Sequence, residues 1–405
     1  MKRNLFSKFH TRHSSRKKLP SINWVSLICI IALLIMGVLF IRSACAIRTG
    51  DVKYLHLQMI YKWIPLGMCL YFGIAKLDYR RWNDWSWVAY LFSLVVLMLV
   101  LIPGIGTERM GARRWLFGLQ PSEFAKIVVI PMLAFILSRS TIEHGIRKLV
   151  IVIIAVMLPA MLIALQPDLG SAIVLMPVMV AMLFVSGCAP KTLMALCLSV
   201  VLFASVFVGA IVIPEKLPPE KKERVERITS KVIFPHWKKR ILVFAFPEKD
   251  PLGAGWNKRQ SEIAVGFGGK WGKGYLNGTQ NILGFLPHSV SSTDFIYSVI
   301  AEETGFAGSL LLMVLFSGLI GSIVFTGILC RDSAGRLMCT GVAALLFTHI
   351  FVNVAMTVGI MPITGIPLPL ISYGGSFTIS TLALLGLVQS ISIHGNTPDR
   401  SGAKY

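Results

Sequence analysis

The chain has 405 residues, of which 55% are hydrophobic and 15% are charged. Soluble domains carry about a quarter charged residues, so this composition excludes an ordinary water-soluble protein. The formal net charge of +21 does not indicate nucleic-acid binding, because its first cluster, at residues 2–18, directly precedes an apolar segment. Basic residues in that position hold a chain end on the cytoplasmic side of a membrane.

Ten apolar segments predict an all-α, polytopic membrane protein. Each is close to the roughly 20 residues that a helix needs to cross the hydrocarbon core. The segments lie near residues 24–46, 54–75, 85–103, 122–138, 148–165, 170–187, 191–213, 296–326, 337–358 and 368–393. Only the tight turn at residues 166–170 joins the fifth segment to the sixth, and if these two formed one broken helix, the orientation of everything after them would invert.

The distribution of basic residues predicts how the bundle sits in the membrane. Lys and Arg are more frequent in the short connections that share a side with the N-terminal end, and this bias marks the cytoplasmic side. The predicted organisation is a basic cytoplasmic tail at 1–23, a transmembrane domain at 24–393 and a cytoplasmic tail at 394–405. Residues 214–293 form a large extracytoplasmic loop, in which the alternating charges of 218–231 suit an amphipathic interfacial helix.

Polar residues near the predicted outer ends of the helices are candidates for a site. Arg114 precedes the fourth segment, and Lys126 lies about one turn inside it, where an unpaired ammonium is costly. They fit either an interfacial arginine with a snorkelling lysine or a cationic site for a lipid pyrophosphate. Asp168 precedes Gly170 and Ser171, so it either caps the sixth segment or pairs a cation of that site.

Three acids surround the start of the eighth segment. Asp294 stands at the predicted membrane boundary, where it either caps the helix or offers a semi-buried carboxylate. Glu302 and Glu303 lie about two to three turns further in, and adjacent acids at that depth require a cavity, a cation or a basic partner. The glycine-rich pieces between 266 and 278 lack the strand–turn–helix context of a nucleotide fingerprint.

Repeated proline and glycine around residues 362–375 predict broken or kinked helices. At membrane depth, such breaks are tolerated only inside protein or beside a cavity. A structural role or a cavity is therefore expected for Ser372, Tyr373, Gly374 and Gly375.

With these residues in place, the sequence resembles the SEDS family, the shape, elongation, division and sporulation proteins. The matching motifs are Gly-Ala-x-Arg-Trp at 111–115, Gln-Pro-Ser-Glu-x-Ala-Lys at 120–126, Gln-Pro-Asp-Leu-Gly-Ser at 166–171, Thr-Asp-Phe-Ile at 293–296, Ala-Glu-Glu at 301–303 and Pro-Leu-Pro-Leu-Ile-Ser-Tyr-Gly-Gly-Ser at 367–376. The chain resembles the RodA branch more than the FtsW branch through Gln260-Ser261 and the residues at 272–274, 278–280 and 301–303.

The resemblance implies a bacterial inner-membrane glycosyltransferase that joins lipid II into glycan strands on the outer face, for cell elongation. The reaction would be inverting and would release undecaprenyl pyrophosphate. Asp294 would be the catalytic base, and the substrate and its pyrophosphate would be bound by Arg114, Lys126, Asp168, Gln260, Ser261 and Lys273. The expected partners are a class B penicillin-binding protein transpeptidase and other membrane proteins of the elongation complex, with no nucleic acid. A divalent cation, Mg²⁺ or Mn²⁺, is a candidate cofactor whose ligands the sequence does not indicate.

One segment departs from the family pattern, and one alternative function stays open. Residues 288–292 stand where the family usually has a shorter segment that begins with glutamate, which leaves the shape of this part of the loop open. Polar residues in broken helices also fit a flippase that carries lipid II across the membrane. Against a flippase, the polar residues concentrate at one face, and no inverted repeat is visible in the sequence.

Overall fold

The computed structural model describes residues 22–46, 50–104, 106–109, 112–139, 145–218, 235–286 and 288–395. Most of both predicted tails and almost all of the predicted amphipathic helix lie outside these ranges. Within them, eight helices are long and apolar enough to cross a membrane. The predicted all-α, polytopic fold is confirmed, with one small β-hairpin added.

Each predicted segment overlaps a helix of the structure. The first part of the chain forms α1 (Trp24–Cys45), α2 (Leu55–Gln58), a π-helical turn (Met59–Trp63), α3 (Ile64–Lys76) and α4 (Tyr79–Leu101). It continues with the antiparallel strands β1 (Thr107–Arg109) and β2 (Ala112–Trp115), then α5 (Pro121–Ser138), α6 (Ile146–Leu165), α7 (Leu169–Val185) and α8 (Pro190–Val212).

The long loop contains short helices and is followed by three long ones. The loop helices are α9 (Pro235–Ala245), α10 (Ala254–Phe267), α11 (Thr279–Ile282) and α12 (His288–Ser291). The remaining helices are α13 (Ile296–Leu329), α14 (Ser333–Thr357) and α15 (Gly375–His394).

Three predicted helix starts are wrong, each for a local reason. Helices α4 and α14 begin earlier than predicted because Asp78 and Asp332 cap them, each accepting a first-turn backbone N–H, at 3.0 and 3.3 Å respectively. Helix α15 begins at Gly375 and not near residue 368. The prolines at 362, 367 and 369 keep the preceding segment irregular, because proline lacks the N–H that a helix needs.

Helix α13 is kinked at Gly305, which has φ 65° and ψ −157°. A side chain there would collide with backbone atoms of Trp271 and Gly272 in the long loop. Glycine tolerates this positive φ and leaves room for the loop to pack against the helix.

Burial separates the centre of the bundle from its periphery. In the most apolar window of α15, 89% of the residues are buried, whereas the figure for α8 is 6%. Helix α15 packs against α3, α5 and α14, and α14 also contacts α7 and α13. Most exposed side chains of α8 are apolar, as expected for a helix that faces lipid.

The bundle has two ends, which we name by their connections. Of the described residues, the loop end carries 102–104, 106–109, 112–120, 166–168, 213–218, 235–286, 288–295 and 358–374. The short-turn end carries the described residues 77–78, 139, 145, 186–189 and 330–332.

Both described chain ends lie at the short-turn end. The amide of Asn23 donates to Thr326 near the end of α13, and the backbone N–H of Arg331 donates to the carbonyl of Gly395. Helices α6 and α7 pack against each other on either side of a short turn, so they are two separate helices and not one broken helix. Which membrane face each end meets stays a prediction.

The contact between α3 and α15 requires glycine at position 386. A Cβ at Gly386 would lie 2.7 Å from the carbonyl oxygen and 2.9 Å from the Cα of Tyr71. We expect Gly386→Ala to lower the free energy of unfolding by about 1–3 kcal/mol through overpacking. Thermal unfolding in detergent measures this, with Gly321→Ala as the control, because nothing lies within 4 Å of a Cβ there. Equal stability of the two variants would contradict this packing.

Candidate active site

Asp294 lies at the loop end, in a tight turn just before α13. The backbone N–H groups of Thr293 and Phe295 both donate to the carbonyl of Val290, at 3.2 and 3.0 Å. Val290 belongs to α12, so the segment that departs from the family pattern forms the turn that presents Asp294. Phe295 is the N-cap of α13, and no side chain caps this helix. The alternative in which Asp294 merely caps the helix is therefore wrong.

Asn353 ties this turn to the bundle. Its amide, on α14, donates to the carbonyl of Asp294 at 2.9 Å and to the carbonyl of Ile366 at 2.7 Å. Asn353 is fully buried. One side chain therefore fixes both the backbone of Asp294 and the irregular segment before α15.

The predicted Ser372-Tyr373 pair holds the same turn from a second side. The hydroxyl of Ser372 donates to the carbonyl of Thr293 at 2.6 Å and accepts from the N–H of Leu368 at 2.8 Å. The N–H of Tyr373 donates to the carbonyl of Ser292 at 2.9 Å. These residues position the backbone of the turn, while their side chains leave the Asp294 carboxylate free.

The glycines that follow allow a close approach to the π-helical turn. A Cβ at Gly375 would lie 2.5 Å from the ring of Trp63, so only glycine fits between the two without a shift. The hydroxyl of Tyr373 donates to Gln58 at 2.6 Å. The break at Gly374 and Gly375 thus joins α15 to the start of α3.

Four charged side chains meet around the turn, and their charges act on one another: Asp294, Asp168, Arg114 and Arg240. The carboxylate and one guanidinium converge over Gly365, where a Cβ would lie 3.5 Å from Asp294 Oδ2 and 3.9 Å from Arg240 Nη2. Gly365 has φ +73°. Glycine therefore serves two needs here, a left-handed backbone and space for the charges.

Main-chain carbonyls orient both guanidinium groups. Arg240, on α9, donates from Nη1 to the carbonyl of Thr364 at 2.7 Å. Arg114, on β2, donates from Nε to the carbonyl of Gln166 at 3.0 Å and also donates to the carbonyl of Pro167. One cation thus comes from the long loop and the other from the β-hairpin.

Asp168 caps the helix that follows it, and its pairing with a cation of a substrate site stays a prediction. One carboxylate oxygen accepts the N–H of Ser171 at 3.2 Å and caps α7. The other accepts from the amide of Gln120 at 3.0 Å. With these bonds made, the buried carboxylate still contributes its negative charge to the cluster around Asp294.

Desolvation dominates the protonation of Asp294. Burial raises its pKa to about 6, with a smaller rise from the charge of Asp168. The charges of Arg240 and Arg114 and a hydrogen bond from Thr293 oppose that rise. A carboxyl group with this pKa is ionised at neutral pH and still basic enough to accept a proton.

Lys126 lies inside the protein, with 2% of its surface exposed. Its ammonium donates to Glu123 Oε1 at 2.9 Å and lies 3.2 Å from Nε2 of His349. Glu123 is also buried, and its charge interacts with that of Asp168. In this conformation the predicted pyrophosphate contact of Lys126 is occupied by protein groups.

Glu302, Glu303 and Lys273 form a separate polar cluster between the long loop, α1 and α13. The ammonium of Lys273 donates to Glu302 at 2.7 Å, and the backbone N–H of Gln280 donates to the same carboxylate at 3.1 Å. Glu303 accepts a hydrogen bond from Ser43 on α1. The basic partner that two adjacent acids require is therefore present, in the long loop.

Gln260 and Ser261 are buried in α10, where that helix packs against α13 and α14. The hydroxyl of Ser261 donates to the carbonyl of Thr357 at 2.7 Å and lies 2.6 Å from the hydroxyl of Ser298. These contacts hold the loop onto the bundle. They do not bring Ser261 into the charge cluster around Asp294.

The comparisons with known proteins decide the family. A family model described as a cell cycle protein, covering FtsW, RodA and SpoVE, matches residues 23–397. This chain belongs to that family.

The FtsW/RodA/SpoVE relatives match this chain along nearly its whole length. The peptidoglycan glycosyltransferase MrdB of Escherichia coli K12 is 34% identical, over 91% of this chain and 92% of the relative. A probable peptidoglycan glycosyltransferase FtsW of Trichlorobacter lovleyi is 32% identical, over 93% and 94% respectively. The predicted SEDS membership is confirmed, as are the enzyme class, peptidoglycan glycosyltransferase, and the multi-pass membrane character.

Solved structures of similar chains share the fold. A chain of a peptidoglycan synthase complex, described as coordinating polymerization and crosslinking, has a TM-score of 0.73 and 28% identity, covering 92% of this chain and 98% of the other. RodA of Thermus thermophilus has a TM-score of 0.65 and 25% identity, covering 93% and 99%. A RodA of Treponema pallidum and the FtsW relative are each 32% identical to this chain, so the comparisons do not assign a branch.

The charge cluster of this FtsW/RodA/SpoVE family member does not fit a resident metal ion. Among the described residues, no three side chains of His, Cys, Asp or Glu gather as metal ligands. The charges of Asp168 and Asp294 are already compensated by two guanidinium groups. These positive groups would repel a further cation.

Sequence reasoning missed Arg240. It lies in the long loop among several other basic residues, and nothing in its spacing relates it to a carboxylate more than 50 positions later in the chain. Only the docking of α9 beside the segment 358–374 brings the guanidinium to Asp294. A usable signal would have been that this arginine precedes an apolar run, Ile241 to Phe244, that can seat it on the bundle.

The hydroxyl of Ser372 is predicted to stabilise the turn that carries Asp294. Ser372→Ala removes the hydrogen bonds to Thr293 and Leu368 and should lower the free energy of unfolding by about 1–3 kcal/mol. Unfolding in detergent measures the change. Ser93→Ala is the matched control, because its buried hydroxyl bonds only to its own helix, at Tyr90. An effect no larger than that of the control would contradict the anchoring role.

Proposed function

We propose that this peptidoglycan glycosyltransferase is a RodA-type enzyme that polymerises lipid II into glycan strands on the outer face of the bacterial inner membrane, for cell elongation. The polymerase activity follows from the family. The observation that carries the proposed mechanism is a desolvated carboxylate, Asp294, that meets two guanidinium groups at one end of an apolar bundle.

The positions of the basic residues support the proposed orientation. The short-turn end carries most of the lysines and arginines of the short connections, namely Lys76, Arg80, Arg81, Arg139, Arg147, Lys148, Lys191, Arg331 and Arg336. The positive-inside rule assigns such an end to the cytoplasm. The loop end, with Asp294, would then face the periplasmic side, where the glycan strand is built.

In the proposed mechanism Asp294 acts as a general base. Its ionised carboxylate takes the proton from the acceptor sugar hydroxyl as that oxygen attacks the anomeric carbon of the donor. The bond from this carbon to the pyrophosphate breaks, its electron pair leaves with undecaprenyl pyrophosphate, and the configuration inverts. Arg114 and Arg240 are placed to stabilise the negative charge that develops on the pyrophosphate.

The remaining predicted site residues take supporting roles in this proposal. Asp168 orients Gln120 and tunes the charge of the cluster. Lys126 neutralises the charge of Glu123 in the interior below Asp168. Its positive charge therefore acts on the site from inside the protein and not by contact with the substrate. Gln260, Ser261 and Lys273 hold the long loop, and with it Arg240, against the bundle.

Sequence motifs support the RodA branch, and a similar chain solved in a complex supports a partner. The pairs Gln260-Ser261 and Glu302-Glu303, with the glycine-rich residues around Lys273, are the forms that resemble RodA. A class B penicillin-binding protein is the proposed partner transpeptidase, together with other membrane proteins of the elongation complex. This partner agrees with the similar chain solved in a complex that coordinates polymerization and crosslinking.

Asp294→Asn should abolish polymerisation, because the amide keeps the size of the side chain and removes the base. We expect kcat to fall by about 100-fold or more. The assay measures glycan strands formed from purified lipid II, with and without a co-expressed partner transpeptidase. Asp84→Asn, at an exposed position of α4, is the control and should retain full activity.

Two outcomes would overturn this assignment. An Asp294→Asn protein with more than about a tenth of wild-type kcat would not use Asp294 as its base. If wild type forms no strands and instead scrambles lipid II between the leaflets of liposomes, the flippase alternative replaces the polymerase.

The pH dependence should follow the ionisation of Asp294. The pKa of Asp294 is about 6, so kcat should be constant above this value and fall as pH drops through it, when the base becomes protonated. Arg240→Gln removes a positive charge, raises that pKa further and moves the acid limb to higher pH. Lys239→Gln, on the same helix with a side chain 68% exposed, is the control. An unmoved acid limb in Arg240→Gln would contradict the cluster.

Depletion of the protein in its own bacterium tests the elongation role. Loss of an elongation polymerase stops lateral wall growth while division continues, so the cells should become round. Microscopy with pulse labelling of new wall measures this. Long filaments with blocked septa would instead assign the protein to division.

A further inference from the structure

The buried ammonium of Lys126 contacts one acceptor, on His349, that has no part in the proposed reaction. Its surroundings are Glu123 Oε1 at 2.9 Å, His349 Nε2 at 3.2 Å and the ring of Phe377, whose centroid is 5.7 Å away. Phe377 offers a cation–π contact within the usual limit of about 6 Å. Two of the three N–H donors of the ammonium therefore meet hydrogen-bond acceptors, on Glu123 and His349, and the ring adds an electrostatic contact.

The hydrogen bonds of His349 define its tautomer. Nδ1 lies 2.9 Å from the carbonyl of Leu345, one turn earlier in α14, and a carbonyl can only accept. Nδ1 therefore carries the proton, and Nε2 presents a lone pair to Lys126. An imidazolium would instead point an N–H at the ammonium, 3.2 Å away, with two positive charges in contact.

We propose that His349 is a positioning residue of the transferase: as the neutral Nδ1–H tautomer, it holds the ammonium of Lys126 against Glu123, and thereby sets the charge balance beneath Asp168 and Asp294. This inference rests on the proposed function. His349 is itself buried, with 2% of its surface exposed, so it acts through Lys126 and not on the substrate.

The physical reason is electrostatic. Glu123 interacts with Asp168, and Asp168 interacts with Asp294, so three carboxylates follow one another from the interior to the site. Lys126 is the cation paired with the innermost of them, at 2.9 Å. Without the acceptor on His349, one N–H of a buried ammonium loses its partner, which favours rotation of Lys126 away or loss of its proton. Either change leaves the negative charge of Glu123 less compensated. The electrostatic potential at Asp294 then becomes more negative.

The experiment uses the full chain with its partner transpeptidase and purified lipid II, and measures kcat, KM and thermal unfolding. His349→Gln keeps an acceptor of similar reach, whereas His349→Phe keeps an aromatic ring without one. Lys126→Met and the double variant Lys126→Met with His349→Phe complete a cycle. Thr348→Val is the matched control, because this neighbouring buried hydroxyl bonds only to Ala344 in its own helix.

We expect His349→Phe to lower kcat roughly tenfold, as for a lost hydrogen bond to a charged group, with KM for lipid II within about twofold of wild type. His349→Gln should retain at least about a third of wild-type kcat, and Thr348→Val all of it. The double variant should be no slower than Lys126→Met alone, because the two residues act as one unit.

Three results would overturn the proposal. One is a His349→Phe protein with wild-type kcat; another is a rise in KM that accounts for the loss; the third is a double variant in which the two losses multiply. If His349→Phe does not fold, ¹⁵N NMR of histidine-labelled wild type against His349→Gln decides, because a proton on Nε2 at pH 7 contradicts the assigned tautomer. If the wild-type protein forms no strands, the proposed function itself is wrong.

Discussion

A carboxylate at the end of an apolar bundle persists only where main-chain anchors hold it and cations compensate it, and Asp294 depends on both. Its backbone is tied by Asn353 and, through Thr293, by Ser372. Its charge meets guanidinium groups from the β-hairpin and from the long loop. Because these groups come from separate parts of the chain, the site exists only when the whole loop end is assembled.

The break before α15 makes that assembly possible. A continuous helix through residues 358–374 would satisfy its own carbonyl groups and leave none for Asn353, Arg240 or the N–H groups of neighbouring turns. The irregular segment instead exposes the carbonyls of Thr364 and Ile366, which accept from Arg240 and Asn353. Proline and glycine thus supply acceptors at a depth where lipid offers none.

Opposite charges are layered from the interior to the site. Lys126 compensates Glu123 inside the bundle, and Arg114 and Arg240 compensate Asp168 and Asp294 above it. A second polar cluster, around Glu302 and Lys273, fastens the long loop to α13 without joining this stack. Because the two clusters are separate, the contacts that fasten the long loop through Lys273 do not involve the carboxylate of Asp294.

The sequence by itself determined the helical membrane fold and the family, and its motifs proposed Asp294 as the candidate base, because hydrophobic length and contiguous motifs are local properties of a chain. The helix starts at Tyr79 and Ser333 were predicted too late, although the caps that set them, Asp78 and Asp332, are also local features of the chain. The partners of each polar residue were decided only by the tertiary structure. Lys126 faces Glu123 and His349, Lys273 faces Glu302, and Arg240 reaches Asp294 from a loop helix, since electrostatic contacts depend on distance in space and spacing along a chain does not encode it.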